Sequence, residues 1–150
     1  MRRWRAWVTD DRGSAALEFI TVGVILLVPL VYLVIVLGAI QQQTLGVEAA
    51  ARHTARAISQ APDAETAVDR SDAVLTSIVE QYDIDYEAIS LGLRCTTPGD
   101  CPSAGATIVV TVTTRVSLPF VPPVFGLDRA VAIPVQAEAV QKMSRDWGGG

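Results

Sequence analysis

The longest hydrophobic pattern in the chain is unbroken rather than periodic. From Phe19 to Ile40 there is no charged residue, and Val, Leu and Ile dominate, interrupted by Gly23, Pro29, Tyr32 and Gly38. A hydrocarbon core of about 30 Å needs roughly 20 apolar residues at the helical rise of about 1.5 Å. A soluble helix of this length would carry a polar face, and this one has none. The run therefore reads as a membrane-spanning helix. Pro29 removes one backbone donor and should bend it, which membrane helices tolerate.

Gln41, Gln42 and Gln43 mark the exit into water, and the pattern then becomes helical and amphipathic. Val47, Ala51, Ala55 and Ile58 form a thin stripe of mostly small residues on one face, against which a sheet or another helix can pack closely. Glu48 and Arg52 are an i, i+4 pair in the favourable order. One helix is expected from Ser14, as N-cap without a full capping box, to Gln60. Ala61-Pro62-Asp63 ends it, and Asp63 is the expected N-cap of a second helix over Ala64–Gln81. Val68, Leu75, Ile78 and Tyr82 are its expected apolar side, and Glu65, Asp69, Asp72 and Glu80 its wet side.

Period-two alternation follows. Ile89, Leu91 and Leu93 alternate with Ser90, Gly92 and Arg94. Ile108, Val110, Val112, Thr114 and Val116 form the clearest such run, rich in β-branched residues, and Val131, Ile133, Val135, Ala137 and Ala139 form the last. Pro134 cannot donate to a ladder, so the third strand is an edge or carries a bulge. One apolar face per strand predicts an antiparallel sheet covered on one side by the two helices. The fold class is α+β: a long N-terminal helix, a second short helix and a three-stranded antiparallel sheet packed on them. Leu118–Leu127 is apolar yet broken by Pro119, Pro122 and Pro123. Such a loop implies burial against the domain itself, a membrane surface or a neighbouring subunit. Gln141 to Gly150 reads as a frayed tail.

Composition adds constraints. Half of the 150 residues are hydrophobic and the mean hydropathy is +0.35. Outside the leader and span about 110 residues remain, enough for one small domain. The expected division is a basic cytoplasmic leader over 1–13, the span over 14–40, an extracytoplasmic domain over 41–147 and a tail over 148–150. The net charge of −4 gives nucleic acid no electrostatic attraction. Arg2, Arg3, Arg5 and Arg12 outnumber Asp10 and Asp11 ahead of the span, so the N-terminus stays in the cytoplasm and the rest is exported. Cys95 and Cys101 fall in the exported part, where an even count points to a structural disulfide. Their spacing is not that of a Cys-x-x-Cys redox pair, and no other ligands stand nearby to complete a zinc site.

No catalytic constellation is visible. His53 is the one histidine and reads as a surface residue, and there is no Gly-x-Ser-x-Gly turn, phosphate loop or dinucleotide fingerprint. The acidic residues of the second helix and of Asp83–Glu87 lack a calcium-loop pattern. No enzyme activity, cofactor, metal or small-molecule substrate is indicated.

Three readings compete for residues 1–40. A secretory signal peptide needs a shorter apolar run and a small-x-small cleavage site, which Gly38-Ala39-Ile40 does not supply. An uncleaved signal anchor would leave Glu18 as a carboxylate near the headgroups. The third reading rests on Gly13 followed by Ser14-Ala15-Ala16-Leu17-Glu18-Phe19 and the apolar helix, which resembles a type IV prepilin leader. Together with the Ala/Arg-rich extension, the strand-rich tail and the Pro/Phe/Leu connection between the last two strands, it resembles TadE-like minor pseudopilins of the Tad/Flp pilus system. Flp-type motifs commonly carry Tyr after the Glu, where this chain has Phe19.

The resemblance implies cleavage after Gly13 by a membrane-embedded prepilin peptidase, with Ser14 as the new first residue. It implies subunit assembly through Glu18 and Phe19, with the carboxylate meeting the α-amine of a neighbouring subunit. The implied partners are the membrane, the prepilin peptidase, other pilin or pseudopilin subunits and the pilus assembly platform. The alternative is an unprocessed single-pass binding module on the outer face of the membrane.

Overall fold

The computed structural model describes residues 11–96, 98–121, 124–126 and 130–148, with side chains from Ala15 onward. The elements are α1 (Asp11–Ser59), α2 (Ala64–Tyr82), a short 3-10 turn (Tyr86–Ala88), β1 (Ser90–Cys95), β2 (Thr107–Val116) and β3 (Ile133–Lys142). This is the α+β arrangement the periodicities predict. The chain divides into two compact units, Met1–Leu37 and Gly38–Gly150, and α1 contributes to both.

In the first unit α1 is continuous, and it continues through Pro29. It is already helical at Asp11, where the described residues begin, ahead of the expected start. Ser14 is therefore not the N-cap, and Gly13 lies within the helix rather than in a turn before it. Arg2, Arg3 and Arg5 of the expected leader, and Asp10, lie outside the described residues.

In the second unit the predicted stripe is the buried one. Val47, Ala50, Ala51 and Ala55 are fully buried and Ile58 nearly so. The exposed side of the same helix carries the expected ion pair, with Arg52 Nη2 donating to Glu48 Oε2 at 3.1 Å. Asp63 caps α2 by accepting from the Thr66 amide at 2.7 Å. That bond, reinforced by the Thr66 side chain, holds the Asp63 carboxyl below its ordinary range.

The buried face of α2 is Ala67, Ser71, Leu75, Ile78 and Val79. Val68, expected on that face, is 59% exposed. Two small residues, Ala67 and Ser71, occupy the core side instead. Val68 turns towards a hollow that it lines with Leu91, Leu93 and Pro102.

The sheet order is β1-β2-β3, both pairings antiparallel. In register, Leu91, Val112 and Ala137 share one face, as do Leu93, Val110 and Ala139. On β2 that face is buried from Ile108 through Val116. The opposite face carries Arg94, Thr111 and Glu138, where Glu138 accepts from Arg94 at 3.4 Å and from Thr111 at 3.2 Å. Val109, flanked in register by Arg94 and Val140, is buried on that side as well. Pro134 sits on β3, an edge strand as its missing donor requires.

The last strand is longer than its alternation indicated, and the tail does not fray where expected. Gln141 and Lys142 still pair with β2, while Val131 lies before the strand. Met143 is buried and its amide donates to Ala106 at 2.8 Å. Trp147 packs against the core, and the Gly148 amide donates to Pro62 at 2.8 Å. Met143 and Trp147 are isolated apolar residues with no periodicity around them, so the pattern could not announce their burial.

Gly46 is tightly packed against the end of α2 and the residues after it. A Cβ built there would stand 2.8 Å from Tyr82 Cγ and 2.9 Å from Ile84 Cδ1. Gly46→Ala gains about 1 kcal/mol of helix propensity but meets an overpacking cost of about 1–3 kcal/mol. We expect it to lower the melting temperature of the purified protein. Gly38→Ala, where a Cβ meets nothing within 4 Å, should not. Equal melting curves for the two variants would contradict this packing.

Candidate functional site

The residues singled out in the sequence lie at two separate places, the first turns of α1 and the end of β1. At the first, the apolar side chains from Leu17 to Leu37 stand outward, and none of the most hydrophobic stretch is buried. A contiguous apolar surface of that extent is not a water-facing surface. The helix is long and apolar enough to cross a membrane once.

Glu18 is the only charged side chain between Arg12 and Glu48. It is exposed, next to an 81% exposed Phe19, and among the described residues it has no ion-pair partner. A lone carboxylate inside a bilayer costs about 2.5–3.5 kcal/mol on insertion scales, less near an end. Thr21, one turn further on, satisfies its own hydroxyl by donating to the Leu17 carbonyl at 2.7 Å. Glu18 has no comparable local arrangement.

Gly13 and Ser14 belong to the same helix by their backbone. Ser14 and Glu18 are therefore one turn apart on one face. The side chain of Ser14 lies outside the described residues.

At the second place, Cys95 ends β1 and stands at disulfide-bonding distance from Cys101, with Cα atoms 5.7 Å apart. The Thr96 amide donates to the Thr107 carbonyl at 3.0 Å, so the pair closes the loop joining β1 to β2. The cysteines and Glu18 belong to different compact units.

The remaining candidates are dispersed. His53 is exposed and lines an open groove of about 480 Å³ with Ala49, Val74, Ser77 and Tyr82. Glu65, Asp69, Asp72 and Glu80 are all exposed along α2. Among the described residues no group of three His, Cys, Asp or Glu side chains is placed to hold a metal ion.

The chain matches no protein-family model, no curated protein and no solved structure with which it was compared.

A feature that sequence reasoning left open is the β2–β3 connection. Leu118 and Pro119 are half-buried, whereas Phe120 is 81% exposed, Val124 is exposed and Phe125 is fully exposed. Both phenylalanines have positive φ, 65° and 55°.

A loop of this length closed by a disulfide contributes about 2–2.5 kcal/mol through lost freedom of the unfolded chain. Replacing both cysteines by Ser should lower the unfolding free energy by about that amount and leave the far-UV spectrum unchanged. Denaturant titration of the oxidised parent and the double variant checks this, and coincident midpoints would show that the pair contributes nothing.

Proposed function

We propose that the chain is a membrane-anchored minor pilin or pseudopilin acting in the assembly of a Tad/Flp-type pilus, a structural rather than a catalytic part. The observation that supports this reading most is α1 itself. It is one uninterrupted helix from Asp11 to Ser59. Its outward apolar half starts beside a lone carboxylate, and its other half is buried by small residues in an α+β domain.

In this reading prepilin peptidase cuts after Gly13 on the cytoplasmic side. The cut removes Arg2, Arg3, Arg5 and Arg12 and leaves an α-ammonium group on Ser14 at the positive end of the helix dipole. Glu18 then has a cation to meet. A carboxylate and an ammonium about 4 Å apart gain about 4 kcal/mol at an effective dielectric near 20, before desolvation. That gain is of the size needed to offset the insertion cost of the acid.

Within one helix the two groups lie a turn apart. Between neighbouring subunits the same pairing sets the axial offset of one span against the next. Apolar packing alone specifies no such offset, because lipid is as apolar as the helices. The disulfide and the polar outer face of the sheet suit an oxidising, aqueous compartment beyond the membrane.

Two experiments test this. The protein recovered from membranes should begin at Ser14, and Gly13→Leu should abolish that processing. A chain still starting at Met1 would sink the pilin reading and leave the unprocessed extracytoplasmic module in its place. Glu18→Val should insert as well as the parent or better, since it removes a charge from the span, while pilus assembly falls. Unchanged piliation would make Glu18 an ordinary membrane-edge carboxylate.

A further inference from the structure

Within the unit of Gly38–Gly150 the sheet outruns its cover on one side. In register, Leu91 stands opposite Val112 and Leu93 opposite Val110. The two valines are fully buried, whereas the two leucines are 41% and 39% exposed. Val68 on α2 is exposed as well, and Val68, Asp72, Leu91 and Leu93 line a hollow of about 190 Å³ between α2 and β1. Ile58 and Pro102 add to a wall that is mostly apolar.

The backbone of β1 is open along the same side. β1 is an edge strand whose neighbour in the sheet is β2. The Thr96 amide donates to the Thr107 carbonyl at 3.0 Å. In an antiparallel ladder, residues that turn their amide and carbonyl to one neighbour alternate with residues that turn them away. Ser90, Gly92 and Arg94 therefore face β2, and Leu91 and Leu93 present their groups at the free edge. Among the described residues these groups have no backbone partner there. The other edge differs. The Met143 amide donates to Ala106, so the outward set on β3 is Pro134, Gln136, Glu138, Val140 and Lys142. A proline and charged side chains discourage an added strand, and β1 has neither at Leu91 and Leu93.

The helix beside this edge supplies a charge. Asp72 lines the hollow, and Glu65 and Asp69 fall on the same flank of α2 by helical spacing. All three are exposed, while Arg70 is engaged with the Gln60 carbonyl.

We propose that β1 is a docking edge for an extended segment of another protein, which adds as a fourth strand. Its face towards α2 carries aliphatic side chains for the hollow and Lys or Arg for Glu65, Asp69 and Asp72. The acidic flank selects the charge of the partner, and the free amides and carbonyls of Leu91 and Leu93 select its extended form. A second copy fits worse. Two β1 edges paired antiparallel bring both α2 helices to the same face of the joint, acidic flank towards acidic flank. The inference rests on neither the membrane span nor pilus assembly.

The test uses the full isotope-labelled chain in a nonionic detergent. The probe is the peptide Lys-Thr-Val-Thr-Val-Thr-Lys, which puts its valines and lysines on one face, and its counterpart has glutamate for lysine. In the free chain the Leu91 and Leu93 amides should exchange with solvent faster than those of Gly92 and Arg94. The lysine peptide should slow them and bind about tenfold more tightly than the glutamate peptide, the margin that two or three exposed ion pairs give. Asp69→Lys with Asp72→Lys should reverse that preference and leave the far-UV spectrum unchanged. Equal binding of the two peptides, or Leu91 and Leu93 amides unaltered by the lysine peptide, overturns the proposal. Undiminished binding of the lysine peptide N-methylated at both valines shows that no strand is added and overturns it too. Slow exchange of these amides in the free chain has the same force. If it persists on dilution the chain closes its own edge, and if it fades a second copy covers it.

Discussion

The domain depends on how close two helices and a sheet can come. Gly46, Ala50, Ala51 and Ala55 keep the buried face of α1 mostly small, with Val47, Thr54 and Ile58 among them, and Ala67 and Ser71 keep the first half of the buried face of α2 small. Most of the bulk that fills the core comes from Ile108, Val110 and Val112 of β2 and from Leu75, Ile78 and Val79 of α2. This division of volume lets one helix serve two solvents. A helix with large residues on its buried face would stand further from the sheet and leave voids along β2, and each void forfeits dispersion contacts outright.

Much of this was legible in the sequence because the patterns were strong and of one kind. The uncharged run, the Val47-Ala51-Ala55-Ile58 stripe, the Asp63 cap and the alternation of β2 each carry one period and one chemical reason. What the sequence concealed lacks a period. Val68 looked buried because it is branched and apolar, yet the core selected its smaller neighbour Ala67. Met143 and Trp147 are single residues beyond a strand, in a segment held where the Met143 and Gly148 amides donate to the Ala106 and Pro62 carbonyls, bonds that no side-chain pattern records. Gly46 carries no signal in the hydrophobic pattern, although an isolated glycine in a helix can have a packing reason.

The site is a different case. Gly13, Ser14 and Glu18 were found by their order and spacing, and the backbone places them on one helix. In the proposed reading, what they do depends on a peptide bond being cut and on neighbours the isolated chain does not contain. The cysteine pair needs no partner molecule, so spacing and geometry agree on it directly. Which side chains of the β2–β3 loop stand outward was not legible, because its prolines break any period that would mark a face.

The small-residue face of α1 also bears on the order in which the protein comes into being. The N-terminal part of a chain emerges first during synthesis, so α1 is complete long before β2 exists to cover it. A face made mostly of Gly and Ala, with Val47 and Ile58 as its large residues, presents less apolar area in that interval than a fully branched one would. The stickiest segment of the domain, β2, emerges only when its cover is already in place.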